Sequence, residues 1–158
     1  MKVYCAGPFF NQGEKDEMAK IASTIEECSH TTFLPQRDGL ELSKGAMPYD
    51  IFCLDTYEVL VDCDMVVANL NGRVPDEGTV AEAAMAFGNS RYVILYKSDS
   101  RTVFQGQDNP LVTFLGYYHV SSLDELRTAL IRTMQFNYAG LIQDRLEYGK
   151  KLAMGKVK

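Results

Sequence analysis

The chain has 158 residues, 46% of them hydrophobic, which suits one domain with a full apolar core spanning residues 1–158. A net charge of −5 and a pI near 5.0 argue against a surface built for a polyanion, so nucleic acid is not an expected partner, and the lysines at 150, 151, 156 and 158 read as a solvated tail. Four cysteines with no Cys-x-x-Cys pair, two histidines, no basic-apolar leader and no apolar run of ~20 residues speak against a disulfide scaffold, a zinc site and a membrane span, leaving the expectation of a reduced, soluble, cytoplasmic protein.

Lys2–Gly7 is a short β-rich run stopped by Gly7-Pro8 and is predicted to be the first buried strand. Residues 14–28 follow as a helix, with Met18, Ile21, Ala22 and Ile25 at helical spacing. "TTFLP" gives a second strand, and residues 35–48 a long polar loop. Residues 49–64 carry Ile51, Leu54, Val59 and Val61 in a mixed helical pattern. "MVVANL" is an unbroken apolar strand of the kind buried on both faces of a parallel sheet. The helix "TVAEAAMAFG" is predicted to stop at Gly88 as its C′ residue. "RYVILY" is another buried strand and "YYHV" a weaker final one, and Ser122-x-x-Glu125 is a capping box opening a last helix over residues 123–149.

Strands alternating with helices imply right-handed βαβ units in a doubly wound α/β sheet of about five strands, with helices on both faces. Ligands of such sheets bind beyond the carboxyl ends of the strands. Those ends are Ala6–Pro8, Pro35–Asp38, Leu70–Thr79 and Lys97–Asp99. The first strand lacks Gly-x-Gly-x-x-Gly, and neither a Walker loop nor a Gly-x-Ser-x-Gly elbow occurs, so no cofactor is expected and carboxylate chemistry remains.

Glu82 is the sharpest candidate. It lies near a helix start, ahead of alanines that permit close packing on the sheet, and the helix dipole is expected to keep it ionised. A held carboxylate can attack an electron-poor carbon; the plainer alternative is a first-turn glutamate that complements the dipole. Tyr4 is either a core tyrosine or the hydroxyl that fixes the Glu82 rotamer. Phe9 and Phe10 are either core or a stacking surface for a flat heterocycle. Asp55 and Asp76 lie near the same edge, and Asp55 could equally be an ordinary exposed helical acid. Asp64 reads as a turn residue, Cys5 and Cys63 as buried apolar positions, and His119 as a strand-face residue.

"MKVYCAGPFF", "FLPQRDG", residues 51–88 and "YVILYKSD" together resemble the nucleoside 2-deoxyribosyltransferases, with "DNPLVTFLG" matching more faintly. The resemblance implies a flavodoxin-like fold and exchange of the base of a 2′-deoxynucleoside through a glycosyl-enzyme intermediate. It implies that Glu82 is the nucleophile, that Tyr4 holds it, and that Asp55 handles the leaving base. Asp76 then serves the 5′-hydroxyl side of the sugar or helps at the base. Phe9 or Phe10 stacks on the base, Gln36, Arg37 and Asp38 form the base-edge loop, and Gly7, Pro8 and Gly78 line the site. Asn109 is implied to reach the sugar's 5′ end in a neighbouring subunit. The implied partners are 2′-deoxynucleosides, free nucleobases and further copies of the chain, as a dimer or a hexamer built from dimers. Two alternatives stand beside this: a 2′-deoxynucleoside 5′-monophosphate N-glycosidase, and a non-catalytic nucleotide-binding module.

Overall fold

The computed structural model of the chain describes residues 1–102, 108–133 and 138–156. Its described elements are β1 (Lys2–Ala6), α1 (Gln12–Glu27), β2 (Thr31–Phe33), α2 (Pro35–Asp38), α3 (Pro48–Tyr57), β3 (Met65–Asn69), α4 (Glu77–Gly88), β4 (Tyr92–Tyr96), α5 (Pro110–Thr113), β5 (Tyr118–Val120), α6 (Leu123–Thr133) and α7 (Tyr138–Ala153). The five strands are all parallel in the order β2-β1-β3-β4-β5, so the direction of winding reverses between β1 and β3. That reversal opens a crevice at the carboxyl ends of the two strands.

The strand sequences explain the layering. Side chains alternate across a strand, so Val3, Cys5, Met65, Val67 and Ile94 face one side. There they meet Met18, Ile21, Ala22 and Ile25 of α1 and Leu126, Ala129 and Leu130 of α6. Tyr4, Ala6, Val66, Ala68, Val93 and Leu95 face the other side, against Val59, Cys63, Ala83 and Ala86. The four predicted apolar positions of α1 are all buried. Its amino end carries a full capping box: the Glu14 amide donates to Asn11 Oδ1, and the amides of Phe10 and Asn11 donate to Glu14 Oε2.

Several boundaries differ from expectation. The polar stretch after β2 is not an open loop: Pro35 starts the short helix α2, and Leu42–Lys44 forms a 3-10 turn. After α3 the chain continues as one π-helical turn, Glu58–Asp62, closed by the Cys63 amide donating to the Glu58 carbonyl at 2.8 Å. That extra residue per turn explains the mixed apolar pattern, with Val59 buried and Val61 exposed. Gly88 is the last residue of α4, and the left-handed position falls on Ser90 (φ 58°). The predicted final helix is described as α6 and α7, and its residues 134–137 lie outside the described residues, as does Lys158. Asp64 accepts the Lys2 amide at 2.8 Å, a turn role. All four cysteines are free, with Cys5 and Cys63 buried.

Candidate active site

The carboxyl ends of β1 and β3, with α2, α3 and the start of α4, enclose a cleft of about 1010 Å³. Gly7, Phe9 and Phe10 line one side, Pro35, Gln36 and Leu40–Lys44 another, Ile51 and Asp55 a third, and Asp76–Thr79 with Glu82 the floor. Gly7 permits a close approach here: a Cβ on it would fall 2.2 Å from the Met18 sulfur.

Tyr4 is fully buried in the strand next to the switch point. Its hydroxyl donates to Glu82 Oε1 at 2.7 Å and lies between Glu82 and Asp55. The ring stacks on Phe33 of β2, with centroids 5.5 Å apart, which fixes the direction of the hydroxyl. Burial and the two flanking carboxylates raise the phenol's pKa, so Tyr4 stays a donor. Ala83 and Ala86 lay α4 flat against the sheet and bring Glu82 within reach of β1.

Glu82 is the sixth residue of α4, so it sits a turn beyond the reach of the helix amino end, and the expectation that the dipole keeps it ionised is corrected. Burial, with repulsion from Asp55 and Asp76, pushes its carboxyl up to about 8, against the opposing hydrogen bond from Tyr4. Burial also raises Asp55, again against the Tyr4 hydrogen bond, with Glu58 adding to the rise. The site thus holds more carboxyl groups than it can ionise together near neutrality. Such a pair titrates as a unit.

Asp76 is the N-cap of α4: its Oδ2 accepts the Thr79 amide at 2.8 Å and the Thr79 hydroxyl at 2.9 Å. This cap role was not anticipated, although Asp76-x-x-Thr79 ahead of an apolar helix could have signalled it. Gln36 and Gly78 line the cleft, Pro8 is buried behind it, and Phe10 stands 82% exposed at its rim. Phe9 packs in part on the α1 side of the core. Arg37 and Asp38 face elsewhere: Arg37 pairs with Asp38 at 2.8 Å and with Glu26 at 2.9 Å, and Asp38 accepts the Leu34 amide. Asn109 is exposed and away from this cleft, its side chain capping α5 through the Leu111 amide at 3.0 Å. Lys15, Ser43 and Lys44 also line the cleft, and no spacing or motif in the chain singles them out. Among the described residues no group of three His, Cys, Asp or Glu could hold a metal ion, and no helix is long and apolar enough to cross a membrane.

A five-stranded parallel sheet in this order, with a carboxylate-lined crevice at its switch point, defines a flavodoxin-like α/β protein. The sequence model of the nucleoside 2-deoxyribosyltransferase family matches residues 3–144, and the chain belongs to that family. No curated protein matches it. Among solved structures, a conserved protein of Enterococcus faecalis V583 is similar at 23% identity and a TM-score of 0.73, over 84% of this chain and 98% of that one. A 2-deoxyribosyltransferase from Bacillus psychrosaccharolyticus is similar at 19% identity and 0.69, over 89% and 96%. A CMP N-glycosidase from Clostridium botulinum is similar at 17% identity and 0.59, over 84% and 99%. These likenesses establish the fold, and membership of the family supports an enzyme acting on nucleosides.

Proposed function

We propose that the protein transfers the 2-deoxyribosyl group of a 2′-deoxynucleoside between nucleobases, through a covalent intermediate on Glu82. The observation that carries this reading is the Tyr4–Glu82 hydrogen bond of 2.7 Å on the floor of a cleft that Asp55 and Asp76 share. A phenol has one proton to donate, and Tyr4 gives it to Glu82. The Asp55–Glu82 pair carries one proton; in its reactive arrangement that proton is on Asp55, completing a chain from Asp55 through the Tyr4 oxygen to a Glu82 carboxylate. This is the distribution needed for an acid and a nucleophile in one site.

In the first half-reaction a Glu82 carboxylate oxygen bonds to C1′ as the C1′–N bond breaks, and the Asp55 proton passes to the departing base. In the second, the nitrogen of an incoming base bonds to C1′, Glu82 leaves, and Asp55 recovers a proton. Two inversions give net retention, as in retaining glycosidases. The transition state is oxocarbenium-like, so the surrounding carboxylates favour it over the uncharged ground state. The cycle requires one proton on the Asp55–Glu82 pair, so kcat/KM should be bell-shaped and fall as pH rises through about 8, where that proton leaves.

Cleavage of a deoxynucleoside 5′-monophosphate is the second reading, and Lys15 and Lys44 in the cleft lining favour it. Against it, two helix amino ends beside the cleft are filled by the chain's own carboxylates, Glu14 on α1 and Asp76 on α4. A phosphate dianion would have to displace or sit beside them. Asp76 would instead accept a hydrogen bond from a neutral 5′-hydroxyl. The exposed apolar residues of α3, Tyr49 (73%) and Phe52 (60%), adjoin the cleft and support a homo-oligomer in which a second copy covers that helix. Incubation with deoxyinosine plus free adenine or cytosine, followed by liquid chromatography, tests the reaction. A new deoxynucleoside supports transfer; hypoxanthine released without one assigns hydrolysis.

A further inference from the structure

Beneath Tyr4, on the same face of the sheet, lies a second polar group that the proposed chemistry does not use. Lys2, two residues before Tyr4 on β1, directs its ammonium to Glu58 Oε2 at 2.6 Å. Glu58 is buried where α3 passes into its π-helical turn, one helical turn after Asp55. The Phe33 ring spans both sites: it stacks on Tyr4 and lies 5.4 Å from the Lys2 ammonium. One column therefore runs Lys2, Glu58, Asp55, Tyr4, Glu82.

The hydrogen bond that closes the π-helical turn uses the Glu58 backbone carbonyl, not the side chain. The side chain is turned under the sheet edge, where the Cys63 thiol donates to the same Oε2 at 3.6 Å. We propose that Glu58, held by Lys2, is a positioning residue that sets the number of protons carried by the Asp55–Glu82 pair. The inference rests on the roles given above to Asp55 and Glu82.

Other charged and titratable groups lie around this column, among them Asp64, which accepts the Lys2 amide at 2.8 Å. Asp62 and Cys63 belong to the same turn as Glu58, and Asp62 also receives the Lys2 ammonium. Asp38 of α2 feels Lys2 from the β2 side. Arg91, ahead of β4, donates to the Leu60 and Val61 carbonyls of the π-helical turn. Asp76 adds negative charge to Glu82 from the cleft floor. Among these, Glu58 is the acid one turn from Asp55 in the same helical run. Its charge opposes ionisation of Asp55, and through Asp55 that of Glu82. Lys2 offsets part of that charge.

The test compares Glu58→Gln with Glu58→Asp, each followed by a kcat/KM–pH profile and a carbon NMR titration of the aspartate and glutamate carboxyls. Glu58→Gln should move the alkaline limb, and the carboxyl titration with it, to lower pH by about half a unit or more. Glu58→Asp, which keeps the charge, should restore most of it. Lys2 retains Asp62 in both variants, so neither leaves its ammonium unpaired. A Glu58→Gln protein that melts at a lower temperature but titrates within about 0.2 of wild type would assign Glu58 to stability alone and overturn the inference. A carboxyl titration that moves in a protein that turns over no deoxynucleoside would uphold it while removing the proposed reaction.

Discussion

On β1, Val3 and Cys5 point into the layer beneath α1 and α6, whereas Lys2 and Tyr4 point into the layer that faces α3, its π-helical turn and α4. The first layer is filled from strand and helix by apolar side chains with almost no access to solvent. The second contains apolar residues as well, but threads through them Lys2, Glu58, Asp55, Tyr4 and Glu82. Burial there makes Asp55 and Glu82 resist ionisation, a cost offset by the apolar packing of the two layers. The difference separates what makes the sheet stable from what makes it reactive.

Substitutions on the two faces should therefore part company. The largest effect is expected from Glu82→Ala, which should lose on the order of 10³-fold or more in turnover while the protein stays folded. On the apolar face, Ile21→Ala should cost roughly 2–5 kcal/mol in denaturant unfolding and leave kcat per folded molecule unchanged. Equal loss of activity from both would erase the division.

The buried carboxyl also predicts a stability that depends on pH. Glu82 is raised from 4.5 to about 8, so its contribution is fully present below pH 4.5 and is lost as pH rises through 8. Glu82→Gln should thus be more stable than wild type at pH 9, by on the order of 2–4 kcal/mol, with the gap closing toward pH 4. Thermal melts across that range decide it; a gap independent of pH would mean that the fold does not hold a proton on the Asp55–Glu82 pair.

Tyr4→Phe removes one hydrogen bond to a charged group and leaves the aromatic stack on Phe33. Roughly a 10- to 100-fold fall in kcat is expected. An unchanged kcat would show that the rotamer of Glu82 is set by α4 alone. The smallest effect concerns Asp76→Ser, which keeps a helix cap and removes a charge. The preference for deoxyadenosine over its 5′-monophosphate should narrow by about 10-fold, read as a ratio of kcat/KM values. Wild-type preference for the monophosphate would instead move the protein to the hydrolytic reading.

The apolar layer was legible because its signals are periodic. Met18, Ile21, Ala22 and Ile25 repeat at the helical spacing, and "MVVANL" is apolar throughout, so elements and sheet class follow from pattern alone. Glu82 and Tyr4 could be singled out, yet nothing in a linear pattern states that residues 78 positions apart share a hydrogen bond. The environment of Glu82 was misread for a related reason. A position near a helix start suggests the dipole, but burial against β1, a property of the packed fold, sets its proton affinity. The π-helical turn was hidden because one extra residue turns a regular period into a blurred one, and Glu58 was hidden with it.

A slow-reacting 2′-fluoro-2′-deoxynucleoside should leave its sugar on Glu82, because fluorine at C2′ destabilises the cationic transition state and lets the intermediate accumulate. After incubation, intact-mass analysis should show one added fluorodeoxyribosyl group per chain, and peptide mapping should place it on Glu82, with no addition to Glu82→Gln. An adduct on Asp55 or Asp76, or on Glu82→Gln itself, would contradict the account.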